Sequence, residues 1–166
     1  MIKQLIPQKF CLACLGCCRF LEPDSCWSPR LLKGEAKNLA QKKLLDKKQL
    51  AGLRVPLRLS RDADNDWACL FLEPRSNKCQ AYPYRPFDCQ LYPFLLQREE
   101  NRILLAVDPN CPFAKRQADS LELKKYAAYL IKLLNSPYYQ KVLKENRQII
   151  QRYDQAIGLG ELRIRP

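Results

Sequence analysis

Cys11-Leu12-Ala13-Cys14-Leu15-Gly16-Cys17-Cys18 places a cysteine at every third position and then doubles the last one. Two thiolates in a Cys-x-x-Cys turn bind one metal, and a third after two more residues continues the loop around an ion or cluster. The run therefore predicts a loop folded about a central point. It also makes sulfur the organiser of the fold around it. Cys17 and Cys18 are adjacent, and neighbouring side chains diverge, so the two are expected to serve different metals or different atoms of one cluster.

The rest of the chain supports that reading. It has nine cysteines and no histidine, which removes the commonest general base, the mixed Cys/His zinc sites and the Cys-His and Ser-His catalytic pairs. No segment is apolar enough to span a bilayer, and Met1 to Pro7 leads into charge and cysteine rather than a secretory apolar stretch. A cytoplasmic location is expected, where an odd set of thiols reads as metal binding rather than disulfides.

At 166 residues with 47% apolar composition, one core is expected. Residues 1–118 form the cysteine-cluster metal-binding part, and residues 119–166 a helical hairpin packed on the same core. A helix should start near Pro29 and run to about Leu50, with Leu32, Ala36, Leu39, Ala40 and Leu44 at helical spacing. Val55 to Ser60 reads as a strand held to a sheet edge by Pro56. Arg61 to Asp66 reads as a turn, Trp67 to Leu72 as a strand, and Glu73 to Lys78 as a hairpin loop returning through Cys79 to Tyr82.

Pro83, Pro86 and Pro93 make Tyr84 to Phe94 irregular. Leu95 to Arg98 and Ile103 to Val107 form a second hairpin, and Cys111-Pro112 lies in a loop. Asp119-x-x-Glu122 resembles a capping box opening a helix that buries Leu123, Tyr126, Ala127, Leu130, Leu133 and Leu134. Ser136-Pro137 opens a second helix, with Val142, Leu143, Ile149, Ile150 and Tyr153 inward. The expected class is α+β: a small irregular cysteine-rich metal-site core with short antiparallel hairpins, one N-terminal helix and a C-terminal helical hairpin.

The formal net charge is +12. Between Arg30 and Arg61 ten basic residues face two acidic ones, Glu35 and Asp46. Such a segment attracts RNA or an acidic protein partner. An alternative reading of the whole chain is accordingly a zinc-stabilised basic interaction module.

Cys11-x-x-Cys14-x-x-Cys17-Cys18, then Cys69, then Cys79-x-x-Tyr82-x-x-Arg85-Pro86-x-x-Cys89-x-x-Tyr92-Pro93, resembles the YkgJ-type CxxCxxCC cysteine cluster family. The resemblance runs from Cys11 to Pro112 and implies a zinc- or iron-chelating domain. It implies Cys11, Cys14, Cys17, Cys18, Cys69, Cys79, Cys89 and Cys111 as the ligand set, leaving Cys26 as a small buried hydrophobe. The same motif occurs in bacterial flagellin lysine N-methylases, where it accompanies an iron–sulfur centre. This chain has five glycines and no strand leading into a Gly-rich turn, so the reading leans away from an enzyme of that kind.

An iron–sulfur cluster is placed slightly ahead of zinc, with a redox role or one accessory to protein modification. Eight thiols exceed what one mononuclear site needs. Arg85 is expected beside the sulfurs, offsetting thiolate charge and donating to sulfur or to Asp88. Tyr82, Tyr84, Phe87, Tyr92 and Phe94 are expected to wall the site off from water.

Overall fold

The structure is a computed structural model that describes residues 2–14, 16–46, 48–49, 52–62 and 65–164. The chain divides into two compact units, Ile6–Gln90 and Met1–Leu5 with Leu91–Pro166. The fold is α+β, with helices and, among the described residues, three small antiparallel sheets.

In the unit Ile6–Gln90, helix α1 (Gln8–Ala13) carries Cys11, so the expected loop is helical in its first half. Strand β1 (Arg19–Phe20) pairs with β3 (Asn65–Cys69), which pairs with β2 (Leu57–Asp62) in the order β1-β3-β2. β2 is thus an edge strand, as expected from Pro56, which stands immediately before it. Ala63 and Asp64, within the expected turn, lie outside the described residues.

Helix α2 is Lys33–Gln41, shorter than expected at both ends. Its start is delayed because the Leu31 N–H donates to Leu53 O (2.8 Å) and the Val55 N–H to Pro29 O (2.9 Å), which holds residues 29–31 extended. Its end needs no glycine. Lys43 adopts the left-handed conformation (φ 56°), with its N–H donating to Ala40 O and the Leu44 N–H to Leu39 O. That pattern closes a helix in the Schellman manner. Lys47 and Leu50, inside the expected helix, lie outside the described residues.

The strand expected over residues 67–72 is interrupted after Cys69, where the Leu70 N–H donates to Pro56 O. Leu72–Glu73 (β4) then pairs with Lys78–Cys79 (β5) as a separate hairpin. Tyr82–Tyr84 is a 3-10 turn, and helix α3 (Phe87–Leu91) occupies part of the stretch expected to be irregular. Pro86 and Pro93 flank this helix rather than interrupt it, so neither removes one of its bonds. Leu31, Leu39, Val55, Phe71 and Ala81 are central in the apolar core of this unit, with Cys69 among them.

In the second unit, β6 (Phe94–Glu99), β7 (Arg102–Val107) and β8 (Ile157–Leu162) form a sheet in that order. Cys111 caps α4 (Pro112–Arg116) instead of lying in a loop. Helix α5 (Leu121–Leu134) starts at Ser120, whose Oγ accepts the Leu123 N–H (3.1 Å), in place of the Asp119 box. Helix α6 (Pro137–Glu145) buries Leu143, while Ile149, Ile150 and Tyr153 are buried in the segment after it.

β8 went unforeseen because Gly158 and Gly160 depress strand propensity. The glycine is needed for close approach: a Cβ at Gly160 would stand 2.6 Å from Ile131 Cδ1 of α5.

Candidate metal centre

The elements of the unit Ile6–Gln90 bring cysteines from distant positions together. Cys17 and Cys18 occupy the turn leading into β1, and the Cys69 N–H at the end of β3 donates to Cys18 O (2.9 Å). Cys79 lies in β5 opposite Leu72. Cys89 is in α3.

Electrostatic coupling among these thiols marks their proximity. Burial pushes the Cys89 thiol well above its ordinary value, and Cys69, Asp88, Cys17 and Cys79 add to the effect. Burial pushes Cys69 up to about 12, reinforced by Cys79 and Cys17. Cys79 is raised by burial and by Cys17, against the pull of Arg85. Cys17 keeps exposed surface and is raised first by its hydrogen bond with Cys18, then by burial. Thiols from four separate segments thus lie near enough to interact, with Cys69 buried, Cys79 and Cys89 half-buried and Cys17 at the surface. Without a cation they hold their protons at neutral pH.

The remaining candidates are placed differently. Cys11 is exposed on α1, and Cys14 caps its C-terminus and accepts the Gly16 N–H at Sγ (3.4 Å). Such N–H donation stabilises sulfur carrying negative charge. Cys26 is exposed rather than buried, in the turn after Ser25. Cys111 is buried in the other unit, after a turn in which Asp108 accepts the Tyr92 O–H (2.8 Å) and the Asn110 N–H (2.8 Å).

Arg85 stands beside the cluster. Its guanidinium lies 4.3 Å from the Tyr82 ring centroid and interacts with Cys17 and Cys79. Its Nε is buried with no hydrogen-bond partner. A buried donor left unmade costs free energy, and an anionic sulfur is the acceptor its surroundings would supply.

The hairpin carrying Cys79 is held by two further arginines. Arg19 Nη2 donates to Asn77 Oδ1 (2.8 Å) and Arg58 Nη2 to Leu72 O (2.6 Å).

Two carboxylates fix α3 from behind. Glu35 Oε1 accepts the Phe87 N–H (2.6 Å) and Oε2 the Leu32 N–H (2.9 Å), tying α2 to the start of α3. Asp88 Oδ2 accepts the Arg30 N–H (2.9 Å). Burial raises Glu35 to about 7 and Asp88 to about 6. Glu35 was not legible as part of the site, since a single glutamate in a lysine-rich helix reads as a surface residue.

The expected aromatic wall is divided. Tyr82 and Phe87 stay with the cysteines' unit, whereas Tyr84 is 40% exposed and Phe94 packs on Tyr126 in the other unit.

Among the described residues, no three cysteine or carboxylate groups already stand as a ready metal cage. The donor set nonetheless fits a soft cation. Thiolates select zinc and iron–sulfur centres over hard oxygen-loving ions, and an arginine with an unused donor stands beside them.

An α+β fold that brings several thiols near one another and near an arginine has the donor chemistry of a metal-chelating protein. The chain belongs to the CxxCxxCC family, described as "Putative zinc- or iron-chelating domain", whose model matches residues 10–112, more than half of its length. No curated protein and no solved structure matches it. No described helix is long and apolar enough to cross a membrane.

Proposed function

We propose that the chain is a sulfur-ligated metal protein in which Cys17, Cys69, Cys79 and Cys89 hold an iron–sulfur cluster, or zinc, with Arg85 donating to the sulfurs. The observation that carries this is the electrostatic interaction among four thiols from separate elements, with Arg85 acting on two of them. Cys11, Cys14 and Cys18 complete the ligand set in the same unit, and the resemblance adds Cys111.

Iron is favoured over zinc because the thiols outnumber one mononuclear site. An iron–sulfur centre supplies electron transfer; zinc supplies structure. The protein acts in the cytoplasm, as a redox protein or an accessory to protein modification rather than as an enzyme with its own cofactor-binding half. Metal binding of this kind is worth on the order of 10 kcal/mol, comparable to the stability of a whole domain.

Anaerobic purification followed by metal, sulfide and ultraviolet–visible analysis of one sample tests the reading. Iron with matching sulfide and absorption bleached by dithionite is the expected result; stoichiometric zinc in colourless protein reduces the site to a structural one. Cys89→Ser lowers bound metal, and Cys26→Ser leaves it unchanged. Equal metal in both variants, or none in the parent protein, overturns the proposal.

A further inference from the structure

Cys89 sits on a helix too short to hold its own place. α3 has five residues, between Pro86 and Pro93. A single helical turn is unstable alone, because it fixes several residues in return for few hydrogen bonds. Groups outside the helix must therefore set where the Cys89 thiol stands.

Residues 29–32 supply them. The Val55 N–H donates to Pro29 O and the Leu31 N–H to Leu53 O, on either side of the antiparallel pair Arg30 and Arg54. In a pair bracketed this way the facing residues exchange no backbone bond, and their own N–H and C=O groups point away from the partner strand. The Arg30 N–H is thus an outward edge donor, of the kind a further strand would take. Asp88 Oδ2 takes it instead, at 2.9 Å. Two residues on, about 7 Å along extended chain, the Leu32 N–H goes to Glu35 Oε2, while Glu35 Oε1 takes the Phe87 N–H.

The two carboxylates divide the task. Glu35 holds the start of α3, and Asp88 fixes the rotation of the helix about its axis. Successive helical residues are about 100° apart, so with Asp88 anchored on the strand edge Cys89 is turned to a set direction, one in which Cys69, Cys17 and Cys79 act on it. The Asp88 charge opposes a thiolate at Cys89. What the carboxylate contributes to a sulfur site is therefore its bond and not its charge.

We propose that Asp88 is a positioning residue for the sulfur site: by accepting the Arg30 N–H it holds α3 in the rotation that presents Cys89 to the metal. The inference rests on the reading of Cys89 as a ligand.

The test uses the full-length protein, purified anaerobically with the iron or zinc it carries. Asp88→Asn removes the charge but keeps an oxygen for the Arg30 N–H, whereas Asp88→Ala removes both, so comparing the two isolates the bond. Excess chelator should strip metal from Asp88→Ala about 10–100-fold more readily than from Asp88→Asn, which should behave like the parent. A second readout needs no metal. In chelator-treated protein, iodoacetamide labelling resolved by mass spectrometry should show Cys89 reacting about tenfold faster relative to Cys69 in Asp88→Ala than in Asp88→Asn, as loss of one hydrogen bond permits. A protein that is merely less stable would expose both thiols together and leave that ratio unchanged.

An unchanged ratio overturns the proposal. So does Asp88→Asn losing metal about 10–100-fold more readily than the parent, whether or not Asp88→Ala folds, because charge or direct ligation would then be the cause. A parent holding neither iron nor zinc overturns the sulfur site and this inference with it. A loaded parent whose Asp88 variants both keep their metal overturns this inference alone.

Discussion

Glu35 is a carboxyl group whose ionisation the fold resists, and Glu35→Gln isolates its effect. Burial lifts its carboxyl from 4.5 to about 7 against the two N–H bonds it receives, with Asp88 adding a smaller push in the same direction. The folded protein therefore holds this proton more tightly than the unfolded chain. The consequence is stability that is greatest below about pH 4.5 and falls as pH rises towards 7. At 1.36 kcal/mol per tenfold change in proton affinity, the loss attributable to Glu35 is about 3 kcal/mol.

Glutamine cannot ionise, so the variant lacks this decline. It pays a different and pH-independent cost, because one of the Leu32 and Phe87 N–H groups then faces an amide NH2, worth about 1–3 kcal/mol. Urea unfolding of parent and variant between pH 4.5 and 7.5 measures the difference. The variant should be the less stable at pH 4.5 and should draw level with the parent by pH 7.5. Metal binding and Asp88 act on both proteins and largely cancel in the comparison. A stability gap that stays constant across this range would refute the reasoning, since it would mean that Glu35 does not titrate with a raised value.

Two further substitutions test the fold. Lys43→Gly relieves the left-handed backbone at the end of α2 and should raise stability by about 0.5–1 kcal/mol after loss of the cation near the helix C-terminus, read as an upward shift in urea midpoint. Gly160→Ala places a methyl 2.6 Å from Ile131 Cδ1, the movable end of a half-buried side chain, and should destabilise by about 0.5–1.5 kcal/mol, the cost of turning that side chain off its rotamer. Pairing it with Ile131→Val, which removes Cδ1 and leaves the next carbon at 3.8 Å, should recover most of the Gly160 cost in a double-mutant cycle.

Much of this protein was legible without coordinates because the relevant signals are local. Cys-x-x-Cys spacing, absence of histidine, the apolar runs of β6 and β7 on either side of a polar turn, the Ser136-Pro137 helix start and the edge position of the strand after Pro56 depend on neighbours in sequence. So does the family's double motif. What failed were judgements depending on partners far along the chain. Pro29 did not open a helix because residues 53–55 hold that stretch extended. Ile157–Leu162 looked too glycine-rich for a strand until α5 lay against it.

The sequence by itself determined that thiols are the available metal ligands, that the class is α+β, and that positive charge is concentrated between Arg30 and Arg61. Those conclusions follow from residue chemistry and short-range spacing, which the chain carries into any conformation. Only the tertiary structure decided that the Cys17, Cys69, Cys79 and Cys89 thiols come near enough to interact. It also turned Glu35 inward while its lysine neighbours stayed in water. Those outcomes depend on which backbone groups across the unit needed a partner, and burial assigns such partners only when distant segments meet.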